Sequence, residues 1–232
     1  MDAFPISTDL LGKSASAYEH LRRAVRHGQL RPGRRLSATN LAVSFRISET
    51  PVREALVRLS AEGFLDWEAS KGHFTKPVTL DEQFDLHEVI AIHLHAALQR
   101  CGGPEPELFR QIEQGSARGL VEPAETLGTC NCVAELLTEL AGALVELSGN
   151  QVLRSMMSVI LDRTWLIRRL DIDTPEQILQ ARSRAAGLVA ALRAADITTA
   201  LTILESHLAA RRRRLPELVD AAHELVRQAN YP

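Results

Sequence analysis

The chain has 232 residues, enough for two modest domains, and with 45% hydrophobic but only 4% aromatic residues its cores must be built from Leu, Ala, Val and Ile, which favours helices over sheets. A net charge of −2 hides an asymmetry: residues 1–78 carry 12 Lys and Arg against 8 Asp and Glu, whereas residues 79–232 carry 15 against 21. No basic-then-apolar leader, no membrane-length apolar run and three cysteines (Cys101, Cys130, Cys132) without CxxC spacing exclude a disulfide scaffold, a zinc finger and a membrane partner, and suit the reducing cytoplasm.

A first helix is expected over about Ser14–Gly28, with Tyr18, Leu21 and Val25 on one face. Pro32 and Gly33 then turn the chain. A short second helix follows, with Ser37 as its cap and Leu41, Ala42 and Phe45 inward. After a turn at Arg46–Ser48, the third helix is expected to be capped by Thr50, with Pro51 in its first turn. Val52, Ala55, Leu56 and Leu59 fall at i, i+3, i+4 and i+7, a core-facing stripe, while Thr50 and Arg53 project from the opposite side. Gly63 ends the helix, and FLDWEASKGHFTK reads as two short strands around a loop at Ala69–Gly72, a wing with Lys71, Gly72 and His73 at its tip. A short helix, a tight turn and a second helix that starts polar and basic suit insertion into a DNA major groove.

The segment KGHFTKPVTLDEQ switches from basic to acidic and divides a first domain, 1–78, from an all-α antiparallel bundle of about six helices over 79–232. Helical stripes run through Val133, Leu136, Leu137, Leu140, Leu144 and Leu147, through Ile197, Ala200, Leu201, Leu204 and Leu208, and through Leu215, Leu218, Val219, Ala222, Leu225 and Val226. Breaks fall at GGPEP (102–106), GN (149–150) and DTPEQ (173–177), where Thr174 caps and Pro175 opens a helix. The run Arg211–Arg214 reads as a solvated helical surface.

The pattern Gly28-x-Leu30-x-Pro32-Gly33-x-x-Leu36, then Leu41-Ala42, Ser48-x-Thr50-Pro51-Val52-Arg53-Glu54-Ala55-Leu56-x-x-Leu59-x-x-Glu62-Gly63 and Lys71-Gly72, resembles the GntR family of bacterial regulators. The resemblance implies a winged helix-turn-helix in a homodimer that reads palindromic operator DNA. It makes Arg35, Asn40, Ser48, Thr50, Arg53, Lys71 and Gly72 the DNA-contact candidates, to which wing-tip His73 is added. Glu49 stands where the family usually has arginine. Either it orients Arg53, its i+4 partner, or accepts a hydrogen bond from cytosine, or the two form only a surface ion pair.

The helical remainder resembles the FCD effector domain of the FadR branch, on LSGNQVLRSMM (147–157) and ALRAADITTALTILESHL (191–208). Many such domains hold a divalent metal through an Asp, a His four residues later and two further His. By that register three ligands fall at Leu137, Ala141 and Ala185, and only His207 remains. No metal cofactor is therefore expected, and those three positions should make that part of the pocket apolar. His87, His93, His95, Cys130 and Cys132 offer no convincing relocated site. Arg163 is the arginine expected to meet a small carboxylate effector, although Ile90 replaces another family arginine and so leaves a more apolar effector open.

No glycine-rich phosphate loop, GxSxG motif or carboxylate pair supports an enzyme. The reading is a DNA-binding transcription regulator, in family habit a repressor, gated by a small molecule. The alternative is a constitutive DNA-binding protein whose helical domain only dimerises.

Overall fold

The computed structural model describes residues 13–30, 32–100 and 130–228, so Arg31, Cys101 and the GGPEP break lie outside the described residues, as do the side chains of Cys130, Cys132, Leu147 and Val226. The chain divides into two compact units, Met1–Val78 and Thr79–Pro232.

The first unit runs α1 (Lys13–Arg26), β1 (Arg35–Leu36), α2 (Ala38–Phe45), α3 (Glu49–Ala61), β2 (Leu65–Glu68) and β3 (Gly72–Thr75). Tyr18 and Leu21 of α1 are buried against α3 together with Ala17 and Ala24, while Val25 is only partly covered. The α3 stripe Val52, Ala55, Leu56 and Leu59 is at most 1% exposed. Tyr18 supplies the polar lock: its hydroxyl donates to Glu62 at 2.6 Å, and Arg58, bonded to the other Glu62 oxygen at 3.0 Å, lies over its ring. Burial and that carboxylate push the Tyr18 phenol up to about 12.

Two expectations change here. The wing sheet has three strands, in the order β1-β3-β2, because Arg35 and Leu36 pair with Phe74 and His73. Gly33, at φ +74, turns the chain so that its N–H reaches the Thr75 carbonyl at 2.7 Å. The cap of α3 is Ser48, in extended conformation, and Thr50 lies inside the first turn. Ser37 does cap α2, accepting from the Asn40 N–H.

The second unit holds six helices among its described residues: α4 (Leu80–Arg100), α5 (Cys130–Leu147), α6 (Gln151–Arg163), α7 (Trp165–Leu170), α8 (Pro175–Arg193) and α9 (Ile197–Gln228). One apolar core gathers Ile90 and Leu94 of α4, Leu140 and Leu144 of α5, Met157 of α6, Leu188 of α8 and Leu204 of α9. A second, smaller cluster packs Val133 and Ala134 against Trp165, Ile172 and Ile178. Thr174 caps α8 in a reciprocal box with Gln177. The stripes expected over 197–208 and 215–226 belong to one helix of 32 residues that runs through Pro216. Its far end is less covered than the stripe implied, for Leu225 is 42% exposed. Among the described residues no helix is long and apolar enough to cross a membrane.

Candidate functional site

Because Val52, Ala55, Leu56 and Leu59 fix one side of α3 inward, its amino-terminal turn presents Ser48, Thr50 and Arg53 to solvent. Arg53 Nη2 donates to Glu49 Oε2 at 2.6 Å, so the i, i+4 pair forms, and the side chains remain 66% and 38% exposed. The Thr39 hydroxyl of α2, then Arg53, hold the Glu49 carboxyl below its ordinary value. Glu49 thus ties both helices of the motif together and holds Arg53 outward in one orientation. Asn40 is exposed on α2 and Arg35 on β1.

At the wing, Glu68 pairs with Gly72 across three loop residues, and Gly72 sits at φ +98 with open space where a Cβ would stand. Lys71 is 70% exposed and pairs with Glu68 at 2.8 Å. His73 is not at the tip, because its Nδ1 lies 2.8 Å from Ser60 Oγ of α3 and it is partly buried. Sequence spacing missed this because a cross-strand partner decides which strand residues face α3.

In the helical unit the former ligand register does not fit a metal: Leu137, Ala141 and Ala185 carry no donor atom. Ala141 and Ala185 are buried in the main core, with Leu137 packed against it. Among the described residues no group of three or more His, Cys, Asp or Glu is arranged to hold a metal ion. Arg163 is committed to Glu82 of α4 and is not brought to His207.

The groups near His207 are cationic rather than apolar. Arg211, one turn along α9 and 5% exposed, donates from Nη2 to His207 Nε2 at 2.8 Å and from Nε to Asp171 at 2.9 Å. Arg214 completes the pairing of Asp171. The run 211–214 is therefore divided, with Arg212 and Arg213 solvated and Arg211 and Arg214 turned inward in line with Leu204, Leu215 and Leu218. Arg168 of α7 reaches back to the end of α6, donating to the Leu161 carbonyl at 2.7 Å and to Thr138 of α5 at 2.8 Å. His87 of α4, 6% exposed, shares its Nδ1 with the Gln83 carbonyl at 2.8 Å. His93 and His95 turn elsewhere, to the Val89 carbonyl and to Gln99 and Glu205.

Burial first, then the Arg211 guanidinium, hold His87 down to about 3, and the same causes hold His207 well below its ordinary value. Both are neutral when folded, whereas the unfolded chain protonates them below about pH 6.5. In that window the unfolded state binds more protons, so stability is full above pH 6.5 and falls as the solution is acidified, by up to about 1.4 kcal/mol per pH unit for each histidine. Denaturant midpoints at pH 7 and pH 5 should therefore differ, and His87→Gln should flatten the difference; an unchanged slope would remove His87 from this account.

Residues 13–74 match the family described as "Bacterial regulatory proteins, gntR family", and residues 107–210 match the FCD domain. The chain is 34% identical over 147 residues to the Nta operon transcriptional regulator of Aminobacter aminovorans, a stretch covering 61% of this chain and 66% of that one. It is 29% identical over 72 residues to the uncharacterized HTH-type transcriptional regulator YdhC of Bacillus subtilis, covering 31% of this chain and 32% of that one. The matched stretches thus span just under two thirds and about one third of those relatives. Its fold resembles that of E. coli McbR/YncC, with a TM-score of 0.72 at 20% identity over 90% of this chain and 99% of that one. A putative GntR regulator from Rhodococcus sp. RHA1 gives a TM-score of 0.73 at 18% identity over 88% and 98%. With both halves matched in order, the chain belongs to the GntR family of bacterial regulatory proteins and carries an FCD domain behind its winged helix-turn-helix.

Proposed function

We propose that the chain is a cytoplasmic transcription regulator, not an enzyme, acting as a homodimer on a palindromic operator, with its helical domain gating DNA binding through a small molecule. The observation that carries the reading is the start of α3, where Ser48, Thr50 and Arg53 stand exposed over a helix whose opposite side is sealed in the core. Arg35, Asn40, Lys71 and the open backbone at Gly72 flank it as phosphate or groove contacts. Repression is the proposed direction: an effector that favours the DNA-incompetent state draws population from the bound one. No divalent metal takes part, because three positions of the ligand register are apolar.

Fluorescence anisotropy with DNA from the protein's own promoter region, titrated with salt and a panel of metabolites, tests the reading. Specific binding that weakens linearly with the logarithm of salt and is released by one metabolite is expected. Binding with no sequence preference would overturn it, and specific binding indifferent to every metabolite would reduce the helical domain to a dimerisation module.

Glu49 is predicted to trade affinity for discrimination. Glu49→Gln removes a negative charge from the DNA-facing side, so non-specific binding should tighten while the ratio of specific to non-specific affinity falls. Selection of preferred operators by both proteins checks this; an unchanged preference would leave Glu49–Arg53 as an ordinary surface pair.

A further inference from the structure

Side chains alternate along β2, so Trp67 shares a face with Leu65, which is 2% exposed in the core of the winged unit. Trp67 stands past the edge of that core and stays 64% exposed. The same face carries His73, its register partner on β3, and His73 Nδ1 lies 2.8 Å from Ser60 Oγ of α3. The inward side of the wing is thereby anchored to the helix. Val57, one turn before Ser60 and one turn after Arg53, is 61% exposed. Arg53, Val57 and Ser60 therefore form a line along α3 that starts at the turn presenting Arg53 and ends at the wing.

The neighbouring carboxylates are turned away from this trough or paired. Asp66 and Glu68 point to the opposite face of β2, and each meets a lysine, Lys76 at 3.9 Å and Lys71 at 2.8 Å. On α3, Glu54 falls on the other side of Val57 from Arg53 and Ser60. Burial holds the His73 imidazole below its ordinary value, so the ring is neutral at pH 7. With the Ser60 hydroxyl donating to Nδ1, that neutral ring carries its proton on Nε2, as a donor. Single exposed apolar residues are ordinary on a surface, but here two flank an anchored donor in continuity with Arg53. Two apolar side chains and one neutral donor suit a deoxyribose and its phosphate better than a base edge, which is read by matched donors and acceptors.

We propose that the trough between the outer side of α3 and the wing seats the sugar-phosphate strand that separates the major groove read by α3 from the groove reached by Lys71. Trp67 and Val57 pack on deoxyribose, and the His73 Nε2–H donates to a phosphate oxygen. This deepens the DNA-binding reading and rests on it for the direction from which the duplex approaches. Contacts to sugar and phosphate carry no sequence, so the trough is tested on any duplex.

The chain has two tryptophans, and Trp165 is 1% exposed, so Trp67 is the one open to a neutral quencher. Acrylamide quenching of the full-length protein is measured alone, with duplex DNA from its own promoter region and with a scrambled duplex. Both duplexes should shield Trp67 and move its emission to shorter wavelength. Trp67→Ala should weaken binding to both by about fivefold, through lost apolar contact, and leave the salt slope unchanged because no charge is removed. Trp67→Phe should keep most of the affinity. The exposure of Trp67 lets both variants fold as wild type, which far-UV circular dichroism checks. Trp67 equally quenchable in the DNA complex, or wild-type affinity of Trp67→Ala on both duplexes, would overturn the proposal. So would shielding that grows with protein concentration in the absence of DNA, since a second copy of the chain would then cover the trough. Loss of sequence preference with Trp67 still shielded would remove base reading from α3 and leave the trough standing; specific binding with Trp67 open would do the reverse.

Discussion

Asp171→Ala should lower the unfolding free energy of the protein by about 3–5 kcal/mol, the range for removing one partner of a buried ion pair. Asp171 and Arg211 are 6% and 5% exposed at the side chain and meet at 2.9 Å, so neither charge has water to fall back on. Arg214 shares the same carboxylate but is 34% exposed, and its part is discounted for solvent screening. The carboxylate lies just beyond α7 and both arginines on α9, so the triad ties two helices 40 residues apart in the chain. Its loss would also strip Arg184 of the charge that favours its ionised form. Urea denaturation of Asp171→Ala beside Asp171→Ala/Arg211→Met measures the effect. The double variant should recover much of the loss, because the buried cation is then gone with its partner. A single-variant loss below about 1 kcal/mol would mean that water or another acceptor takes the place of the carboxylate.

The winged helix was legible because its information is local. Val52, Ala55, Leu56 and Leu59 repeat at helical spacing, and the pattern around Thr50-Pro51-Val52-Arg53 names the same helix twice. Strand β1 was not legible, for a two-residue strand has no period and exists only because Gly33 lays it along β3. His73 failed for a related reason: its place depends on Ser60, thirteen residues away. In the helical unit Leu137, Ala141 and Ala185 were legible as apolar positions, and they pack in or against the main core, but the residues near His207 were not legible. Arg168 and Arg184 sit beside other polar residues in ordinary helices, Asp171 lies just past the end of α7, and nothing in their spacing marks them as neighbours of a histidine on α9. One signal was present. Arg211 continues the stripe of Leu204, Leu215 and Leu218, and His87 that of Gln83, Leu86, Ile90 and Leu94, so each polar side chain sat on an apolar face. A charge in line with core positions is buried and partnered more often than solvated, and on that ground the run 211–214 divides into two inward and two outward arginines.

Arg53→Ala should weaken specific operator binding by about 10–100-fold, or about 1–3 kcal/mol, while leaving the fold intact. The fold is spared because Arg53 is 66% exposed and its ion-pair partner, Glu49, lies on the same helix. The DNA effect is large because Arg53 is held outward over the first turn of α3 before DNA arrives, so little side-chain freedom remains to be lost on binding. Lys71→Ala makes the contrast. Its ammonium, 70% exposed and paired with Glu68, serves as a phosphate contact, and its removal should weaken specific and non-specific binding alike and reduce the salt slope by about one. Anisotropy titrations of both variants on operator and scrambled DNA at several salt concentrations separate the two roles. If Arg53→Ala lowered affinity equally on both DNAs, Arg53 would be a phosphate contact and the reading of bases would move to Ser48 and Thr50. If it left both unchanged, α3 would not be the recognition helix.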